Sequence, residues 1–212
     1  MKLLIIGASR GVGREAVKEA LARGYEVRAF ARSADSISIS DPKLEMLNGD
    51  ALNTSDLDEA MIGVDAVILT LGIRAGPAMV VKPVRLFSEA TRRVVDSMKK
   101  AGVKRLICVT GFGAGDSRAR LDCIHGALFE LILGRAYQDK DAQEIMIRQS
   151  GLDWVIARPV ILTNGSKTGR YKVLTDPETW RNGVISRADV ADFLIGQAGQ
   201  GGLLRKTPVL RY

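Results

Sequence analysis

Apolar and polar positions along the chain fall into two alternating rhythms. Short, continuous apolar runs are followed by stretches in which apolar residues recur three or four apart. "KLLIIG" at the start is such a run and predicts a buried strand. Behind it, Val12, Ala16, Val17, Ala20 and Leu21 share one face of a helix that Gly24 stops. "EVRAFAR" predicts a second strand, "LEML" a weak third, "DAVILTLG" a fourth and "VKRLICVTG" a fifth. "LDWVIARP" predicts a sixth, halted by Pro159, and "TPVLRY" a last short one. The intervening helices include "SDLDEAM", with Ser55 as N-cap and Asp58 in the capping-box position, and "VRLFSEATRRVVDSMKKAG", closing on Gly102. Residues 117–150 read as one or two helices with a break near Gly134. "SRADVADFLIGQA" reads as a helix with Ser186 and Asp189 as its capping pair.

Strands alternating with helices of this length imply right-handed βαβ crossovers and a parallel sheet. Strands that are apolar throughout fit a sheet covered on both faces. The predicted fold class is therefore α/β, a doubly wound parallel sheet, in a single domain over residues 1–212 with a small C-terminal substrate-side region. Ligands of such sheets bind outside the carboxyl ends of the strands, at the switch point. The residues just after each strand thus carry the functional information. Segments 73–83, 112–136 and 161–185 are expected to form the substrate side.

After the first strand stands Gly7-Ala8-Ser9-Arg10-Gly11-Val12-Gly13. Glycines there permit a tight turn and let backbone amides approach a pyrophosphate, which the following helix N-terminus favours. A strand before and a helix after make this a Rossmann-like dinucleotide turn. It is not a P-loop, which would need Gly at 12 and Lys at 13, where Val12 and Gly13 stand. After the second strand come Arg32 and Ser33, with no acid between Val27 and Ala34. A carboxylate there suits the ribose 2′-hydroxyl of NAD, whereas an arginine suits a 2′-phosphate. Arg10 can close on the same phosphate from the other side. The expected cofactor is NADP(H) in preference to NAD(H). Asp50, beside Ala51, offers a carboxylate to the adenine amine, and Leu71-Gly72 let the backbone pass the cofactor ribose. Thr110 follows the fifth strand, and Pro159-Val160 turn the chain toward the ligand.

Composition narrows the rest. Of 212 residues 46% are hydrophobic, enough for a sizeable core. No apolar run approaches the roughly 18 residues of a membrane span, and with the first strand beginning at Lys2 no signal peptide is expected. Cys108 and Cys123 sit in no metal-ligand pattern and read as buried free thiols, so a reducing, cytoplasmic setting is expected and no metal. The net charge of +7 raises nucleic acid as a partner, but the basic clusters at 92–93, 99–100 and 118–120 are dispersed and lack interleaved aromatics. They read as solvated helix faces. The expected partner is a small-molecule substrate, with no nucleic acid and no membrane, in a monomer or homodimer.

The pieces "IIGASRGVGRE", "RAFARS", "NGDALN", "ILTLG", "KRLICVTGFGAGDS", "SGLDWVIARPVILTNG" and "ISRADVADFL" follow one another over nearly the whole chain. Together they resemble the atypical short-chain dehydrogenases/reductases of the NmrA-like, NAD(P)H-binding kind, and are similar to the biliverdin reductase B and flavin reductase group. By that resemblance Gly7 to Gly13, Arg10, Arg32, Asp50, Leu71, Gly72, Thr110 and Pro159-Val160 fall at cofactor positions. Relatives usually carry glycine where Arg10 stands, a departure that leaves the pyrophosphate role intact and adds a charge.

The superfamily usually reduces carbonyls with a tyrosine four residues before a lysine. The lysine holds the ribose and lowers the phenol pKa, and a strand-end hydroxyl aligns the substrate. Here "AYQDKDAQE" places Lys140 four residues before Glu144, as in related helices, and so at the lysine position. Tyr137 then stands one residue late, a rotation of about 100° and a shift of about 1.5 Å along a helix, with Ala136 in its usual place. Positions three apart still share a face, so Tyr137 reads either as catalytic or as packed. Thr110 is the candidate hydroxyl. His125, the only histidine, reads as packing or as part of the substrate wall, and "GIRAGPAMVVKP" as a cap on the nicotinamide side.

Members of the resembled reductase group lack the tyrosine and place a planar acceptor against the nicotinamide. The expected function is likewise hydride transfer from NADPH to a small planar acceptor such as a flavin or quinone. A non-catalytic NADP(H) sensor is the alternative, supported by the displaced tyrosine. A nucleotide-sugar epimerase or dehydratase is a third, opposed by the short region after Pro159.

Overall fold

The computed structural model describes residues 1–73, 84–120, 123–199 and 202–212, with residues 123–132 described by backbone alone. The chain runs β1 (Lys2–Ile6), α1 (Gly11–Ala22), β2 (Glu26–Ala31), β3 (Leu44–Asn48), α2 (Thr54–Ala60) and β4 (Ala66–Leu69). It continues through α3 (Leu86–Ala101), β5 (Arg105–Val109), α4 (Cys123–Gln149) and β6 (Asp153–Pro159). The last part holds β7 (Ile161–Thr163), β8 (Lys172–Leu174), β9 (Val184–Ser186), α5 (Arg187–Gly196) and β10 (Val209–Arg211).

Eight strands form one sheet in the order β3-β2-β1-β4-β5-β6-β10-β8. The order reverses between β1 and β4, and the crevice at that reversal is where a doubly wound sheet binds its ligand. Alternation along β1 shows how the layers are filled. Leu3 and Ile5 pack on the face covered by α1 and α5, while Leu4 and Ile6 join the core shared with α2 and α3. All four are fully buried, and each such side chain contributes about 1.5–3 kcal/mol relative to exposure. β3, at the sheet edge, is mostly exposed, in keeping with its short apolar pattern.

Several local expectations are corrected. The N-cap of α2 is Asn53, whose side chain accepts the Ser55 amide, rather than Ser55 itself. Asp58 is not in a capping box: its carboxylate pairs with Lys100 of α3 at 2.6 Å. Both choices are sensible locally, but the helix starts two residues earlier than the polar pattern suggests. No break occurs at Gly134, since α4 continues from Cys123 to Gln149. The sheet is not wholly parallel, because β8 pairs antiparallel with β10. After β6 the chain also builds a small second sheet, β7 with β9.

α3 has an unusual start. Its N-cap, Arg85, makes no side-chain capping bond. Instead Asp139, projecting from α4, accepts the Phe87 amide at 2.7 Å and the Ser88 amide at 3.3 Å, so one helix caps another.

Candidate cofactor and active site

The turn after β1 is shaped by contacts that leave no room for side chains. The Gly7 amide donates to the Phe30 carbonyl at 2.9 Å. A Cβ on Gly7, whose φ is +88°, would lie 2.8 Å from the Thr70 carbonyl oxygen. One on Gly13 would lie 2.2 Å from the Gly7 carbonyl oxygen, so α1 sits directly against the turn. Gly11, at φ +58°, is less crowded, a Cβ there meeting the Arg187 Nε at 4.0 Å, and Val12 is buried. Arg10, the N-cap of α1, makes no side-chain capping bond, and the first turn carries no acid. The first amides of α1 are thus left to an external acceptor, and the helix dipole favours an anion there.

Around this turn the cofactor candidates group by strand end. Arg10, Arg32 and Ser33 are exposed, and Ser9 is half-buried. Asn48 at the end of β3 accepts the Ala34 amide at 2.6 Å, holding the segment after Arg32 and Ser33 against the neighbouring strand. Asp50 is half-buried, with one carboxylate oxygen accepting the Leu52 amide at 3.0 Å, and Ala51 is in the core. Leu71 is half-buried, and a Cβ on Gly72 would meet nothing within 4 Å. Amides open to an anion, glycines at the close approach and cations at the rim fit a dinucleotide phosphate.

The carboxyl end of β5 is different in kind. Thr110, Tyr137 and Lys140 meet there. Lys140 donates through Nζ to the Thr110 carbonyl, and its ammonium lies 5.1 Å from the Phe87 ring centre and 5.2 Å from that of Tyr137. Burial lowers the Lys140 pKa to about 8, against smaller opposing effects of Cys108 and Glu144. The Tyr137 hydroxyl lies against Gly111, where a Cβ would come within 2.4 Å of it. Burial pushes the Tyr137 phenol up to about 12, with Arg118 acting the other way, so the group stays protonated at neutral pH. Pro159 and Val160 lie alongside: the Pro159 carbonyl accepts the Phe112 amide at 2.9 Å, and the Val160 amide donates to Leu210 at 3.1 Å.

Sequence reasoning missed the pair that holds this end together. Arg158, fully buried near the end of β6, donates to Glu144 through Nε at 3.0 Å and Nη2 at 2.5 Å. The Thr110 hydroxyl donates to the same carboxylate at 2.8 Å. Arg158 Nη1 lies 2.5 Å from Asp116, and its guanidinium stacks 5.3 Å from the Trp180 ring. Burial opposes the charge on Arg158, but Glu144 and Asp116 outweigh it and raise its pKa. The available signal was the lone arginine interrupting the apolar run of "DWVIARP". Nearby, Asp141 of α4 accepts the Gly115 amide at 2.7 Å and pairs with Arg118 at 2.8 Å, pinning the segment after β5.

The expected cap at 72–83 lies outside the described residues apart from Gly72 and Ile73, as do the side chains of Cys123 and His125. Cys108 is buried and free, and its burial raises the thiol pKa well above the usual range. Among the described residues no helix is long and apolar enough to cross a membrane.

A model of an NAD(P)H-binding family matches residues 7–200. An uncharacterised chloroplastic protein of Arabidopsis thaliana is 30% identical over 200 residues, covering 92% of this chain and 70% of that protein. A 3-beta-hydroxysteroid dehydrogenase of Mycolicibacterium neoaurum is 34% identical over 113 residues, but these make up only 50% of this chain and 31% of that enzyme. Among solved structures, ChuY, an anaerobilin reductase from Escherichia coli O157:H7, superposes with a TM-score of 0.82 at 30% identity, covering all of this chain and 97% of that one. The glycine turn, the strand order and these likenesses converge: the chain belongs to the NAD(P)H-binding, NmrA-like family of atypical short-chain dehydrogenases/reductases.

Proposed function

We propose that this protein is an NADPH-dependent reductase that passes hydride to a planar, conjugated acceptor. The observation that carries the reading is the meeting of Thr110, Tyr137 and Lys140 at the end of β5, in the same strand-end crevice as the glycine turn. The preference for NADPH rests on Arg10 and Arg32. Both are exposed at the strand ends, and no described carboxylate pairs with either. Two such guanidiniums suit a 2′-phosphate.

NADPH, when bound, would supply a hydride to an electron-poor atom of the conjugated acceptor, a carbon in a tetrapyrrole or quinone and a ring nitrogen in a flavin. Lys140, whose Nζ donates to the Thr110 carbonyl, would hold the ribose side of the cofactor through a hydroxyl. Tyr137, neutral at working pH, donates a proton to the acceptor atom left electron-rich, and solvent restores it. Glu144 and Arg158 act through Thr110: they fix the strand end on which Lys140 rests. The likeness to an anaerobilin reductase points to a linear tetrapyrrole as the acceptor class, with flavins and quinones as smaller members of the same planar chemistry.

A second reading, a dinucleotide sensor that turns nothing over, is favoured by the desolvation that Tyr137 and Lys140, each half-buried, already undergo. Loss of absorbance at 340 nm separates the two. A reductase oxidises NADPH when a linear tetrapyrrole, flavin or quinone is added. A sensor binds NADPH and leaves the absorbance unchanged with all three.

A further inference from the structure

A groove of about 600 Å³ lies between the outer face of α1 and residues 164–167, running from Arg10 and Gly11 toward Ala22. Arg32, Ser33 and Asp50 do not line it, so it shares only the α1 N-terminus with the dinucleotide turn. Two of its cations are neutralised where they stand: Lys18 lies 2.8 Å from Glu15, and Lys167 lies 2.8 Å from Glu19. Arg10, Arg14 and Arg187 have no such partner among the described residues.

The geometry of these arginines is specific. Arg14 donates through Nη2 to the Ser38 hydroxyl at 3.3 Å, while its Nε is buried without a hydrogen-bond partner. Arg187, the first residue of α5, is held by Nη1 on Asn164 at 2.7 Å and on the Leu162 carbonyl at 3.4 Å. Its Nε lies 4.0 Å from the position a Cβ on Gly11 would occupy. The chain after this wall is tied down. Asp189, fully buried, accepts the Thr168 and Gly169 amides, each at 2.8 Å, and the Tyr212 hydroxyl at 2.6 Å. A buried N–H with no acceptor is costly, and like charges around one groove repel. A phosphate in the groove offsets the repulsion between Arg10, Arg14 and Arg187.

We propose that this groove is a second anion site, in which Arg14 and Arg187 take a phosphate group of a small phosphorylated molecule seated beside the dinucleotide. The one other source of the same chemistry is a phosphate of the dinucleotide itself. The proposal uses dinucleotide binding but not hydride transfer, so it stands or falls separately from the reductase reading.

Isothermal titration of the full chain with inorganic pyrophosphate at low ionic strength, with and without saturating NADPH, tests it. The expected result is binding to the NADPH-saturated protein, weakened at least tenfold by the double substitution Arg14→Met with Arg187→Met, while NADPH affinity stays within about threefold. Arg14→Lys with Arg187→Lys, which keeps both charges, retains more of the binding. If pyrophosphate binds only the free protein, and the Met pair costs NADPH affinity tenfold, the site holds and the phosphate is the dinucleotide's own. Two results overturn the proposal: no pyrophosphate binding to the wild type in either state, or a folded Met pair that binds pyrophosphate and NADPH as the wild type does.

Discussion

At the turn after β1 the chain presents backbone: three glycines, the open amides of α1, and arginines kept at the rim. At the ends of β5 and β6 it presents side chains, locked in a buried net of Arg158, Glu144 and Thr110 with Lys140 beside it. The first region is made by what is absent, Cβ atoms and capping side chains. The second is made by charges that must be paired because they lie out of water. A site that binds a constant group, the pyrophosphate, can be built from local chain geometry. A site that holds reacting groups in place needs partners brought from distant elements.

The contrast predicts where substitution hurts most. Arg158→Met leaves the buried Glu144 carboxylate with only the Thr110 hydroxyl and the more distant Arg148 as partners, and is expected to cost about 3 kcal/mol of stability. Replacing Glu144 with Met as well recovers most of that loss. Urea unfolding of the two variants checks it, and equal losses in both would show that the net is not a charge pair in effect. Gly13→Ala comes next: its Cβ would sit 2.2 Å from the Gly7 carbonyl oxygen. The overpacking is expected to cost about 3 kcal/mol and to remove dinucleotide binding, read by thermal melt and NADPH fluorescence.

Arg32→Ala should be milder. Loss of a charge-assisted contact to the 2′-phosphate is expected to weaken NADPH about tenfold while leaving NADH nearly unchanged. Equal losses for both would remove Arg32 from cofactor choice. The smallest effect is on pH. Lys140 titrates near 8 in the fold against an ordinary 10.5. Below about 8 it is charged in both the folded and unfolded states, and the burial penalty is felt in full. Between about 8 and 10.5 the unfolded chain holds the proton that the fold has released, so stability rises with pH. Lys140→Met should flatten that rise in urea unfolding series.

The same contrast explains what the sequence reveals. Gly7, Gly11 and Gly13 are legible because their meaning depends on one strand, one turn and one helix in succession. The strands β1, β2, β4, β5 and β6 are legible because burial on both faces imposes continuous apolar runs, whereas β3, exposed at the sheet edge, leaves only a weak one. Asn53 rather than Ser55 as cap was a choice between neighbouring polar residues, which periodicity does not rank. Asp139 capping α3, and Arg158 reaching Glu144, depend on how α4 lies against α3 and β6. No local pattern encodes that placement. The short strands β7 to β9 also escape, because three residues are too few for alternation to register.

The central claim is that Tyr137, though one residue from its usual place, serves hydride transfer as the proton donor. Single-turnover oxidation of bound NADPH by a linear tetrapyrrole, followed at 340 nm in the wild type and in Tyr137→Phe, tests it most directly. The account predicts turnover by the wild type and a rate about a hundredfold lower in the variant, with NADPH affinity unchanged. Equal rates in the two proteins, or a wild type that binds NADPH and never oxidises it, would contradict it.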